Sequence, residues 1–92
     1  MSNLIPLTTN PSKTSVLLLD AGTPYLDLQE CAEQRLCAAK GLMFSLSCMS
    51  INHADAKDVS RIADAAYVLL EDATDLFSAA RNAALREGVR NV

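Results

Sequence analysis

The residues able to do chemistry are few and poorly placed to act together. His53 is the sole histidine, and proton transfer from it would require a positioned partner and a pocket. A cysteine nucleophile would need a base nearby. Cys48 is the cysteine nearest His53 in the chain, so Cys48 and His53 form the one pair open to a cysteine-dependent enzyme reading. The plainer reading makes His53 a turn or cap residue, and it is preferred. Cys31, Cys37 and Cys48 fall within one apolar helical pattern and would point in different directions from it, unlike the ligands of a zinc site. Their odd number and unpaired spacing suggest reduced, buried thiols and not a disulfide framework. The three glycines are isolated, so no glycine-rich phosphate loop is present. The expectation is a non-enzymatic protein with no cofactor and no metal.

The charged residues lead to a similar weighing. Asp64, Glu71 and Asp75 form one stripe of a helix, with Asp72 beside them. They are a docking face for a basic partner, a crude mimic of nucleic-acid phosphate, or a solvated outer face; the last is preferred, and Arg61 balances part of their charge. A net charge of −3, with scattered basic residues, argues against nucleic-acid binding. No run approaches the ~20 apolar residues of a membrane span, and no secretory leader pattern is visible. A cytoplasmic location is the expectation.

Those side chains must be carried by helices. From Val59 to Ala84 the apolar positions Val59, Ile62, Ala66, Leu69, Ala73, Leu76, Ala80 and Ala83 recur at alternating steps of three and four. This is the seam of a helix packed along its length against another. Ala63, Leu70, Phe77 and Ala84 make a second row beside it. An earlier helix begins at Thr23-Pro24, where Thr23 suits a cap and Pro24 the first turn. Its inward face reads Leu28, Ala32, Leu36, Ala39, Met43, Leu46 and Met49 or Ser50, and Cys37, Gly41, Phe44 and Cys48 share another side. Gly41 either is tolerated or marks the close approach of a neighbouring helix. The connector, Ile51 to Ala54, is short enough to make the two helices antiparallel. Asn52 can end the first, and Asn52, His53 or Asp55 can cap the second. Gly88 is a natural stop.

Upstream, residues 1–14 read as a flexible arm broken by Pro6 and Pro11, with one anchor at Leu4-Ile5. Ser15–Asp20 is the strand-like run. It is expected to lie as an apolar strap across the helices or to pair with its copy in a second subunit.

From Val16 onward the chain resembles a group of small, uncharacterised bacterial proteins with a helical-hairpin domain of unknown function. The matching pieces are Val16-Leu17-Leu18-Leu19, Gly22-Thr23-Pro24, the helix through Cys31-Ala32 and Leu36, and Ala65-Ala66-Tyr67-Val68-Leu69. The resemblance implies the helical architecture and carries over no activity and no site residue.

The expected fold is all-α. Residues 15–92 form a long antiparallel hairpin, with helices at about 24–50 and 55–87, preceded by an extended segment. Two helices bury one seam, leaving the Ala63, Leu70, Phe77, Ala84 row and the Cys37, Gly41, Phe44, Cys48 side open. A homodimer forming a four-helix bundle is the simplest remedy. The expected function is a small protein-binding or regulatory module that acts through its helical surface. The alternative is a phage or mobile-element inhibitor of a host defence complex, of the anti-CRISPR kind, docking through Asp64, Glu71 and Asp75.

Overall fold

The computed structural model describes residues 3–48 and 56–88. They form a two-stranded ribbon, β1 (Leu4–Pro6) and β2 (Leu18–Asp20), followed by two helices, α1 (Tyr25–Ser47) and α2 (Ala56–Glu87). The helices pack side by side as a hairpin and make up most of the molecule.

The seam of α2 matches the spacing of its apolar residues. Ala66, Ala73, Leu76, Ala80 and Ala83 are buried, while Val59, Ile62 and Leu69 are half-buried. On α1 the facing residues are Leu28, Ala32, Arg35, Ala39, Leu42 and Leu46, all buried or half-buried. Leu36 and Met43, expected on this face, are 42% and 40% exposed. The correction comes from geometry. Alternating steps of four and three from Leu28 lead to positions 35 and 42, so backbone rotation places Arg35 on the seam although its neighbour Leu36 is the apolar residue. The long stem of Arg35 can pack there with its head at the edge.

Alanine dominates this core. Of the eleven buried hydrophobic residues among those described, eight are alanine and three are leucine. Small side chains let helices approach closely, but each buries about one methyl group, worth ~0.8 kcal/mol. The hairpin is therefore well fitted and thinly stabilised.

The N-terminal segment differs from expectation. β2 pairs with β1 of the same chain, antiparallel, with Leu4 opposite Asp20, Ile5 opposite Leu19 and Pro6 opposite Leu18. It neither runs alone as a strap nor needs a second subunit. The stretch expected as a flexible arm contributes this strand, and the Leu4-Ile5 anchor is β1 itself. Asn10 closes the intervening loop: its Nδ2 donates to the carbonyls of Leu7 and Leu17, and its Oδ1 accepts from the Leu17 N–H. That side chain supplies the loop with backbone partners that a longer ladder would otherwise provide.

β2 passes into α1 through a tight turn in which Asp20 Oδ1 accepts from the Gly22 N–H. A Cβ on Gly22 would stand 2.8 Å from the Asn3 side chain, so close approach favours glycine here. The N-cap residue of α1 is Pro24, without a side-chain cap bond, in place of the expected Thr23. The first helical N–H, that of Tyr25, instead donates to Glu87 Oε2 at the far end of α2. A carboxylate there satisfies an orphan donor and opposes the positive end of the helix dipole. The antiparallel arrangement alone brings Glu87 within reach. α2 stops where Gly88 adopts φ +72°, as its sequence suggests.

Met49, Ser50, Ile51, Asn52, His53, Ala54 and Asp55, together with residues 1–2 and 89–92, lie outside the described residues. The connector and cap readings made for them lie there too.

Candidate functional site

The hairpin is a single layer. The chain's principal extents are 52 × 36 × 13 Å, and its radius of gyration is 16.0 Å. A compact domain of this length would have a radius near 12 Å, so the chain is elongated and thin. Each helix therefore has two flanks beside the seam, one on each broad face of the layer.

In an antiparallel pair the flank that follows the seam on one helix lies beside the equivalent flank on the other. Gln29, Leu36 and Met43 thus share a face with Ala63, Leu70 and Phe77. The residues around the hollow formed by Tyr25, Gln29, Phe77 and Arg81 agree with this placement. On the opposite face, Cys31 of α1 and Asp72 of α2 line a common groove of about 360 Å³ floored by Leu19, Leu28 and Leu76.

The ribbon packs on this second face at the end where α1 begins. Leu19 is 5% exposed and packs in a cluster with Leu28, Ala32, Leu76, Ala79, Ala80 and Ala83. The carboxylate of Asp75 accepts from both the Thr8 N–H and the Thr8 hydroxyl, each at 2.7 Å. Asp72 Oδ1 accepts from the Thr9 hydroxyl at 2.9 Å. Asp72 and Asp75 therefore hold the chain's own N-terminal segment. Of the acidic stripe proposed from sequence, Asp64 is exposed, Glu71 is half-buried, and Asp75 is engaged within the chain.

The first face is open. Leu36, Met43 and Leu70 are each about two-fifths exposed, and Tyr67, next to Ala63 and Leu70 on the helix surface, is 64% exposed. Ala63 is exposed as well. The row Ala63, Leu70, Phe77, Ala84 is not uniform along its length: Phe77 is half-buried against the core and Ala84 is buried. The correction for Ala84 has a local cause, since α1 begins beside the last turns of α2, where Tyr25 meets Glu87.

Cys37, Gly41, Phe44 and Cys48 are exposed on the outer side of α1, separate from the Ala63 row. An added Cβ at Gly41 would meet nothing within 4 Å. The buried thiols expected from sequence are corrected: Cys37 and Cys48 are exposed and Cys31 is half-buried, all three free. They flank the seam or face outward, and the small seam residues that exclude water are alanines. The proposed Cys48–His53 pair cannot be placed, because His53 is outside the described residues.

Among the described residues, no group of three or more His, Cys, Asp and Glu is arranged to hold a metal ion, and no helix is long and apolar enough to cross a membrane. Arg35, Leu36, Met43 and Tyr67 are the residues that reading by apolar identity placed wrongly or passed over. The strict alternation of steps was the signal that could have found the first three. No protein-family model matches the chain, no curated protein matches it in sequence, and no solved structure matches its fold.

Proposed function

We propose that this chain is a small, non-enzymatic protein-binding module that acts through its helical surface. One observation carries the reading: a face of a one-layer hairpin presents Leu36, Met43, Tyr67 and Leu70 to solvent while the core beneath is mostly alanine. Contiguous apolar surface of this kind marks an association site on soluble proteins. The same surplus supports a homodimer in which two hairpins form a four-helix bundle.

Affinity capture from the native host, read by mass spectrometry, tests the module. Proteins retained by the wild-type chain, its own untagged copies included, should be lost with the Leu36→Glu/Leu70→Glu double variant. They should remain with Phe44→Glu on the outer side of α1. Equal recovery by all three chains would refute the reading.

A further inference from the structure

We infer that the occupant of the open face is a second copy of this chain, joined across a two-fold axis that passes near Leu36 and Leu70. The inference rests on the binding-module reading and names its partner.

Position comes first. The ribbon packs on the opposite face through Leu19, Thr8 and Thr9, and Val16, Leu17 and Leu18 of the ribbon segment are exposed beyond it. The face of Leu36 and Leu70 is the one on which both helices present apolar residues at mid-length. Leu36 and Leu70 stand near the midpoints of Tyr25–Ser47 and Ala56–Glu87. An axis through that region overlays two hairpins along most of their length, as an isologous contact requires.

Charge comes second. The chain carries eleven acidic residues and a net charge of −3, which opposes self-association through most of its surface. On the rows that form the open face and its rim, the charged residues are Glu33, Lys40 and Arg81. Of the eleven acidic residues, Glu33 falls there, with Asp64 and Glu71 bordering Tyr67 at its outer edge. This near-neutral, apolar face can meet its own copy without repulsion, and the two-fold lets Glu33 of one copy face Lys40 of the other. A strongly basic partner would find no complementary charge.

Area comes third. The chain exposes 6841 Å² at a mass of 9.9 kDa. A compact monomer of that mass exposes about 5,200 Å². The excess of roughly 1,600 Å², spread over the ribbon and both helices, is larger than the ~800 Å² that each partner gives to a standard interface.

Sedimentation equilibrium of the purified full chain tests this, read alongside binding of an apolar fluorescent dye. The wild type should sediment at twice the 9.9 kDa chain mass and bind little dye. Leu70→Glu should raise the dissociation constant at least about thirtyfold with unchanged far-ultraviolet circular dichroism, and Phe44→Glu should not. If Leu70→Glu fails to fold, dilution of the conservative variant Tyr67→Trp reports the same equilibrium: its tryptophan emission should shift to the red with a concentration-dependent midpoint. A wild-type monomer at high concentration that binds dye strongly would overturn the second copy as occupant and leave the module reading standing. A monomer that binds no dye and is indifferent to Leu70→Glu would overturn both.

Discussion

At the residue scale, the seam depends on small side chains. Ala32, at 0% exposure, and Ala80 and Ala83, at 1% and 0%, belong to the cluster that joins the two helices and the ribbon. Each sits where a larger group would force the helices apart. Ala32→Leu should therefore lower stability despite its added hydrophobicity, by about 1–3 kcal/mol, measured as a lower urea midpoint with little change in the denaturant slope. An unchanged or raised midpoint would show that the seam has room to spare. Arg35 gives the complementary lesson: a charged residue occupies a seam position because the backbone period places it there. Its recorded side-chain partner is Gln34, through a 2.9 Å bond from Nη1, a contact made along the helix and not across it. Thr8 and Asp75 show polar side chains in a different role. Together they tie a strand turn to a helix 67 residues away in sequence.

At the scale of the element, α1 and α2 form for different reasons. α2 has a continuous apolar stripe with charge opposite, so packing along one side stabilises its 32 residues. α1 spreads apolar residues around much of its circumference, including the exposed Leu26, Leu36, Met43 and Phe44. Its position is set from outside, by the α2 seam, by Glu87 at its first turn and by Leu19 of the ribbon. Gly41 lies in this helix with open space around its missing Cβ. Gly41→Ala is expected to stabilise the fold by up to about 1 kcal/mol, seen as a higher melting temperature, and to leave the dissociation constant of the proposed dimer unchanged. A weakened dimer would instead place a partner helix against Gly41, on the outer side of α1. The ribbon, three residues per strand, is too short to stand alone. It persists because Leu19 is buried in the helical cluster and two threonines bond to α2.

At the scale of the whole molecule, one layer of helices leaves two faces to protect, and a single ribbon packs on one. Among the described residues α1 and α2 are the helices, and the ribbon is the further element packed on them. The proposed association through an apolar, nearly neutral face has a consequence for solution behaviour. Raising salt from low to moderate concentration should leave the proposed dimer intact or strengthen it slightly, since screening then reduces the repulsion between two chains of charge −3. Sedimentation equilibrium at two ionic strengths checks this; dissociation by salt would point to ion pairing as the main attraction. Among the described residues, the fold presents an exposed apolar face and an acidic edge bonded to the N-terminal segment.

Much of this architecture was legible in the residues themselves. The alternating spacing from Val59 to Ala83 identifies a packed helix, Pro24 and Gly88 mark where helices start and stop, and the short link between the patterns implies an antiparallel pair. These are local signals: each depends on neighbours within a turn or two, where periodicity and backbone preference act directly. Tertiary structure alone decided the rest. It paired Leu18–Asp20 with Leu4–Pro6, placed Arg35 in the seam ahead of Leu36, assigned Asp72 and Asp75 to the N-terminal segment, and buried Ala84 while exposing Ala63. Each outcome turns on contacts between distant parts of the chain. Residue types specify that an apolar row needs cover, but the packing of one layer against one ribbon decides which row receives it.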